Sequence, residues 1–355
     1  MTKNVIHVVG TGTIGEPLIA LLCDLRVSLG IDEVTFFKNT PRRGDRPLLE
    51  QLTKRGARLA ARHEHVGEFR ALGFEVAFEA EEAIKRATVV IDCTPSDMGL
   101  ENKEKFYKKY ADQVSGFVAQ GSEEGFGTPY ARGINDRVLE DSKDQFIQVV
   151  SCNTHNISVL VQTLAAVGGG LDLEDGRFVC LRRANDISQD SGFIPAPKVG
   201  KHDDPIFGTH HAKDANRLFK TMGHDLKLFS SACMLNSQYM HAMHFSLRLG
   251  HKVTREDVIS RFRDNPRVAV TEKTTANSIF SFGREHGHHG RILSQTVVAL
   301  PTLTVRDEHE VVGFCFTPQD GNSLMSSVAA AMWFIDPGMA KSHLGPLRAY
   351  LFQEV

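Results

Sequence analysis

The chain has 355 residues, a formal net charge of -2 at pH 7 and 41% hydrophobic residues. That length exceeds one ordinary domain and leaves room for two cores, while the balanced charge excludes a basic face built for nucleic acid or anionic lipid. No run approaches the about 18 uninterrupted apolar residues of a membrane span. The six cysteines (23, 93, 152, 180, 233, 315) form no C-x-x-C pair, and read as thiols of a reducing, cytoplasmic compartment. Met1 to Ile6 leads straight into a strand and is no signal peptide.

Val5-Ile6-His7-Val8-Val9 is a short β-branched strand, and Gly10-Thr11-Gly12-Thr13-Ile14-Gly15 follows it at once. An amphipathic helix then carries Leu18, Leu21, Leu22 and Leu25. Strand, G-x-G-x-x-G, helix is the order a dinucleotide site needs: Gly10 for the tight turn, Gly12 for approach of the backbone to pyrophosphate, Gly15 for close packing of helix on strand. The second strand, Val34 to Phe37, ends in Lys38-Asn39-Thr40-Pro41-Arg42-Arg43 with no acidic residue. An acid there would hold a ribose diol and repel a 2′-phosphate, so this loop suits NADP and accepts NAD. Residues 48–70 read as helical, 73–77 as extended, and 79–87 as a further helix. Thr88 to Thr94 is a buried parallel strand by its apolar run, and its exit at Thr94-Pro95 lies where a doubly wound sheet faces its ligand. A helix from Asn102 to Tyr110 precedes strand Gly116 to Ala119, which ends in Gln120-Gly121-Ser122.

The alternation of strands and helices closes on Val149-Val150-Ser151-Cys152-Asn153-Thr154-His155. There a β-branched run delivers a cysteine to the first turn of an apolar helix. Free backbone N–H groups and the positive helix terminus favour thiolate over thiol in such a position. A thiolate at the edge of a nicotinamide-binding sheet points to aldehyde oxidation through a thiohemiacetal. The same cysteine also reads as a small buried residue at a strand end.

In the second half, Arg177 to Leu181 is a strand closed by Arg182-Arg183, whose side chains alternate so that only one reaches a common site. A glycine- and proline-rich loop ends in Gly208-Thr209-His210-His211 before a helix from Asp214 to Met222. Threonine and histidine at a helix start, with an arginine nearby, form a phosphate cradle. Adjacent histidines without a third ligand at helical spacing make poor zinc sites, so no metal is expected. His286, His288 and His289 read as a solvated loop for the same reason. Segments 226–235, 239–249, 266–270, 296–300 and 311–316 read as strands, Thr254-Arg255-Glu256-Asp257 caps a helix through Phe262, and 323–334 is a small-residue helix. The strands lie too close in sequence for parallel crossovers, so an antiparallel sheet with helices on one face is expected. The fold class is α/β: a Rossmann dinucleotide-binding domain over 1–150, and an α+β catalytic domain with a mainly antiparallel sheet over 151–321. A C-terminal helix at about 322–350 is expected to pack back on the first domain.

Taken together, these segments resemble the archaeal-type (type II) phosphorylating glyceraldehyde-3-phosphate dehydrogenases, in order and at nearly the family's spacing from residue 5 to about 334. The motifs are Gly10 to Gly15, Ile91-Asp92-Cys93-Thr94-Pro95, Gln120-Gly121-Ser122-Glu123, Val149 to Thr154, Arg182-Arg183, Thr209-His210-His211, Met240-His241 and Thr254 to Val258. The resemblance implies that Cys152 attacks an aldehyde, that hydride passes to NADP or NAD, and that inorganic phosphate cleaves the resulting thioester to an acyl phosphate. It places Gly10, Gly12, Thr13, Ile14, Gly15, Lys38, Asn39, Thr40, Thr94, Pro95, Gln120, Gly121, Gln319 and Asn322 around the cofactor. Ser151, Asn153, Thr154, Arg183, His210 and His211 fall around the substrate's phosphorylated end and the attacking phosphate. It also implies a homotetramer.

The family's base is the second histidine of Met-His-x-His, and here the line reads Met240-His241-Ala242-Met243-His244. Aligned without a gap from Thr254, Met243 falls on that base. His241 shares its strand face, and His244 takes the opposite face unless a bulge intervenes. His155, three residues beyond Cys152, is a third alternative. Cys152, His241 and His244 are therefore the catalytic candidates. Glyceraldehyde 3-phosphate leads the substrates, followed by another small aldehyde or an acyl phosphate, including one of amino-acid biosynthesis. A dinucleotide-binding or redox-sensing protein without turnover is the non-enzymatic reading.

Overall fold

A computed structural model describes residues 3–141, 144–186 and 192–355. The chain divides into two compact units: Met1–Tyr130 with Arg137–Val149 and Leu324–Ala349, and Ala131–Asp136 with Val150–Ser323 and Tyr350–Val355. In chain order the first unit contains β1 (Val5–Val9), α1 (Gly15–Asp24), β2 (Glu33–Phe37), α2 (Arg46–Lys54), β3 (Arg58–Ala61), α3 (Val66–Ala71), β4 (Phe78–Glu79) and α4 (Ala80–Arg86). Next come β5 (Val89–Asp92), α5 (Met98–Lys105), β6 (Gly116–Gln120), β7 (Thr128–Tyr130), α6 (Arg137–Asp141) and β8 (Phe146–Val149). These eight strands form one sheet in the order β4-β3-β2-β1-β5-β6-β8-β7, and every pairing in it is parallel.

Burial explains why these runs become strands. Val5 to Val9 and Val89 to Asp92 are buried throughout, the signature of parallel strands covered on both faces. The order reverses between β1 and β5, so the loops leaving those neighbours open the crevice that such sheets use for ligands. Three expectations need correction, one being the helix of Asn102 to Tyr110, which runs instead as α5 over Met98–Lys105. The charged stretch 48–70 is not one helix, because β3 interrupts it; Arg-Leu-Ala-Ala lacks the β-branched signal that marks its neighbours, and only the buried Leu59, Ala60 and Ala61 hold it against β2. Residues 73–77 form no strand, and the extended pairing falls on the two residues of β4.

The second unit contains α7 (Cys152–Ala165), a hairpin of β9 (Ala166–Val167) and β10 (Gly170–Leu171), β11 (Leu173–Arg182), β12 (Lys198–Val199), α8 (His210–Lys220) and β13 (Leu228–Met234). It continues with β14 (His241–Leu249), α9 (Arg255–Asp264), β15 (Val268–Thr271), α10 (Ala276–His286), β16 (Thr296–Ala299), β17 (Thr304–Arg306) and β18 (Glu310–Thr317). Its large sheet runs β12-β13-β11-β14-β18-β16-β15, with β17 on β18. Only β11–β13 and β15–β16 pair in parallel; the other pairings are antiparallel. Strict alternation in β14 buries His241, Met243, Phe245, Leu247 and Leu249 and leaves the residues between them partly open. The buried row joins Leu160 and Leu164 of α7, Leu218 and Phe219 of α8 and Phe262 of α9 in one core. Thr254 starts α9 with a full capping box, taking the Asp257 N–H while the Asp257 carboxylate takes its own. The chain then returns to the first unit as α11 (Leu324–Ile335) and α12 (Ala340–His343), with α11 lying on β5, β6 and β8. Among the described residues, no helix is long and apolar enough to cross a membrane.

Candidate active site

The dinucleotide candidates of the first unit sit at the carboxyl ends of β1, β2, β5 and β6, whereas Gln319 and Asn322 follow β18 in the second unit. Gly10 adopts φ +97, a conformation that L side chains resist, and its N–H donates to the Phe37 carbonyl (3.2 Å). A Cβ on Gly15 would overlap the Gly10 carbonyl, whereas a Cβ on Gly12 would meet nothing within 4 Å. The turn therefore needs its first and third glycines for packing, and the middle one leaves open space over exposed backbone. Thr13 and Ile14 are partly open on the same turn. Those features fit a pyrophosphate at the start of α1.

Beyond β2, Asn39 and Thr40 are exposed, but Lys38 is paired with Asp45 at 2.7 Å. Its charge is thus partly answered within the protein. At the end of β5, Asp92 accepts from the Thr94 N–H (2.9 Å) and hydroxyl and from Asn102 (2.9 Å), which fixes the loop that carries exposed Pro95. Gly121 holds φ +92 and donates to the Val149 carbonyl (2.9 Å). The Gln120 amide is turned to Ser327 of α11, so that side chain braces the sheet.

In the second unit, Ser151 is the extended residue before α7 and Cys152 is the helix's first residue. Cys152 is a half-buried residue and does not present a ready thiolate. Burial drives its thiol up to about 11, opposed by the positive charges of Arg182 and Arg183 and the Asn153 backbone, and reinforced by Asp320. The Cys152 carbonyl accepts from Asn322 Nδ2 (2.9 Å), which also donates to the Gln295 carbonyl (3.1 Å). Fully buried Asn322 therefore anchors the Cys152 backbone through that nitrogen.

Ser151 and Thr154 share a hydroxyl pair at 2.9 Å, and Asn153 and Thr154 are buried. Asn153 faces the Thr317 hydroxyl (3.4 Å). These three support the helix start, and only Ser151 keeps appreciable exposure. His210 and His211 form the first turn of α8, which starts four residues before the Asp214 expected from the sequence, with ring centroids 3.9 Å apart. His210 is exposed and His211 is buried. Loss of water, then the charges of His210, Arg182 and His241, hold His211 well below the ordinary imidazole range.

The histidines proposed as bases do not stand free. The Arg183 N–H donates to His241 Nδ1 (2.9 Å). The Gln319 amide is satisfied with its oxygen toward Arg183 Nε (2.6 Å) and Nη2 (2.7 Å), and its nitrogen then lies 3.1 Å from both His241 ring nitrogens. An imidazole faced by N–H groups resists protonation, and burial followed by Arg183 and Arg182 pushes His241 the same way. His241 is a neutral ring in a network, not an idle base. His244 must be set aside: β14 pairs with β11 and β18 in continuous register across it, so no bulge turns it inward. Its ring lies on the opposite face, 5.0 Å from the Phe314 ring. Met243, at the family's base position, is fully buried in the core. His155 donates from Nδ1 to the Ser151 carbonyl (3.1 Å), and burial lowers it to about 4.

Arg183, expected near the substrate, is enclosed by acidic partners. Its side chain is 1% exposed and grips Asp320 through both terminal nitrogens (3.0 and 3.2 Å) and Asp186 through Nη2 (3.0 Å). Asp320 carried no signal in the sequence, since an acid in a Pro-Gln-Asp-Gly turn reads as solvated surface.

No family model matches the chain. Among curated proteins it is similar to the glyceraldehyde-3-phosphate dehydrogenase of Pyrobaculum calidifontis, with 25% identity over 317 residues, covering 85% of this chain and 84% of the relative. That of Sulfolobus acidocaldarius is 26% identical over 306 residues (84% and 82% covered). That of Archaeoglobus fulgidus is 26% identical over 299 residues (80% and 79%). The chain is a divergent relative of these archaeal proteins, and the resemblance drawn from its motifs stands.

Proposed function

We propose that the protein is a nicotinamide-dependent dehydrogenase that oxidises a small phosphorylated aldehyde, glyceraldehyde 3-phosphate foremost, through Cys152. The observation that carries this reading is Cys152 on the first turn of α7, under the charges of two arginines, in a chain whose curated relatives bear the glyceraldehyde-3-phosphate dehydrogenase name. The turn of Gly10, Gly12, Thr13, Ile14 and Gly15 would hold the pyrophosphate, and Thr94, Pro95 and Gly121 stand at neighbouring strand exits. Lys38, Asn39 and Thr40 support acceptance of NADP beside NAD. The bound nicotinamide supplies a hydride acceptor.

The chain's own residues account for the remaining steps. Asn322 holds the Cys152 carbonyl and so fixes the helix turn that aims the thiol. Attack of sulfur on the aldehyde carbon, with the thiol proton passing to the carbonyl oxygen, would form a thiohemiacetal; its two-electron oxidation, with the hydroxyl proton released to solvent, would leave a thioester. Attack by inorganic phosphate on the thioester carbon breaks the C–S bond and releases an acyl phosphate with the thiol restored. Arg182 favours each anionic state of the sulfur. The thiol's raised pKa favours a second reading, dinucleotide binding without turnover.

Purified protein with glyceraldehyde 3-phosphate, NADP or NAD, and phosphate present or omitted decides between them. Phosphate-dependent formation of reduced cofactor, abolished at least a thousandfold in Cys152→Ser with cofactor affinity kept, is the expected result. Turnover that survives Cys152→Ser would exclude the mechanism. Cofactor binding without turnover would establish the second reading.

A further inference from the structure

Away from Cys152, three arginines line one open cleft of the second unit. α9 ends at Asp264, and Asn265-Pro266-Arg267 leads on to β15. This corner, the end of α7 and the segment Ala131–Asp136 of the same unit enclose about 550 Å³, lined chiefly by Arg132, Thr163, Arg261, Asp264, Asn265 and Arg267.

The arginines are held in place by neutral groups. Arg261 is half-buried and donates from Nη1 to the Leu164 carbonyl (2.6 Å) and to His251 Nε2 (3.0 Å). His251 turns its Nδ1 to Asp172 (3.1 Å), which leaves Nε2 as the acceptor. Among the described residues, Nε and Nη2 of Arg261 make no hydrogen bond and no ion pair; Asp257, a turn earlier on α9, feels the charge without touching it. Arg267 donates from its backbone N–H and from Nε to Asn265 Oδ1 (3.1 Å each), and its Nη1 reaches the Arg132 carbonyl (3.5 Å). Asn265 is fixed in turn by donating to the Thr163 hydroxyl (2.8 Å). Gly133 makes the approach possible: it holds φ +73, and a Cβ there would come within 2.6 Å of Arg267 Nη1. The lining sets three arginines against one exposed aspartate. The carboxyl ends of α7 and α9 add about half a negative charge each, so positive charge stays in excess.

We infer that this cleft is a binding site for a small, multiply phosphorylated anion, whose phosphate oxygens are received by Arg132, Arg261 and Arg267. Guanidinium forks match phosphate oxygens in pairs, and a concave basic wall concentrates anions. A single phosphate answers one fork well; arginines drawn from three segments suit a ligand with two or more. α7 has 14 residues, so its far end lies about 20 Å from Cys152. The site is thus separate from the thiol and stands whether or not the dehydrogenase reading does.

Footprinting and calorimetry on the full chain test it, with inorganic triphosphate as the probe and orthophosphate as the comparison. In the wild type, triphosphate should slow phenylglyoxal modification of Arg132, Arg261 and Arg267 at least fivefold, read by peptide mass spectrometry, and leave Arg306 on β17 unprotected. Orthophosphate should bind at least tenfold more weakly. Arg267→Gln should weaken triphosphate at least tenfold, and Asp264→Asn should tighten it at least twofold. Gly133→Ala keeps every charge but pushes Arg267 aside, and should cost at least threefold. Arg306→Gln removes a charge outside the cleft and should leave affinity unchanged. Triphosphate binding that leaves the three arginines unprotected, as at the glycine turn of β1, would overturn the inference without any variant having to fold. So would absence of binding, or equal losses in folded Arg306→Gln and Arg267→Gln, which would mark a diffuse response to net charge.

Discussion

At the scale of single residues, the contest at Cys152 is decided by magnitude. A helix terminus favours an anion by about 0.3–1 kcal/mol, whereas a rise from the ordinary 9.0 to about 11 corresponds to about 3 kcal/mol against the thiolate. Dehydration wins in the free protein, and the arginines recover only part of the difference. The alkylation rate of Cys152 by iodoacetamide should therefore climb about tenfold for each pH unit between 7 and 10, with no plateau below that range. A plateau near pH 7 to 8 would show that the thiol is activated already without ligand. The sequence made the position of Cys152 legible, because a β-branched run ending in Ser-Cys-Asn-Thr can do little else. It could not reveal the dryness around the sulfur, which comes from distant segments. Arg183 is similar: its place after β11 is evident locally, while its partner Asp320 lies 137 residues away.

At the scale of elements, periodicity carried most of the reading. The apolar runs of β1, β5, β14 and β18 and the cap of α9 appear where residue chemistry puts them, while α8 starts earlier than its sequence suggested. Failures came where chemistry was silent: β3 is built from Arg, Leu and two alanines, and the hairpin after α7 has strands of two residues each. Strand parity settled His244, since a continuous register leaves odd and even residues of β14 on opposite faces. The glycine turn between β1 and α1 offers a test that separates packing from binding. Gly15→Ala forces a methyl against the Gly10 carbonyl and should destabilise the protein by about 1–3 kcal/mol in urea unfolding. Gly12→Ala has room for its methyl, so stability should change by less than about 0.5 kcal/mol while dinucleotide affinity falls at least tenfold. Equal stability of the two variants would mean that the turn is looser than its geometry.

At the scale of the whole molecule, buried neutral imidazoles tie stability to pH. His7, fully buried in β1 with Nδ1 2.7 Å from the Thr35 hydroxyl, is held down to about 3 by loss of water, and His155 to about 4 by the same cause. Both folded values lie below the ordinary 6.5, so the unfolded chain takes up protons first as pH falls. Their contribution is complete above about 6.5 and is lost through the window from 6.5 to about 4 for His155 and about 3 for His7. These two alone add as much as about 2.7 kcal/mol per pH unit to the decline between 6 and 4, and His211 and His241, lowered by burial and neighbouring positive charge, act in the same direction. Urea titrations at stepped pH should show this decline, shallower in His7→Gln by as much as about 1.4 kcal/mol per pH unit; an unaltered slope would mean His7 already binds its proton in the native state. The return of α11 to the first unit has a consequence for biosynthesis. A Cβ on Gly116 would overlap the Phe334 ring of that helix, and Gln120 turns its amide to Ser327, so β6 is shaped around a segment that leaves the ribosome roughly 175 residues after β8. At about 5–20 residues per second, the nascent sheet waits some ten to thirty seconds with that flank bare. During this interval it exposes the kind of apolar surface that chaperones cover, and its native form depends on a late part of its own message.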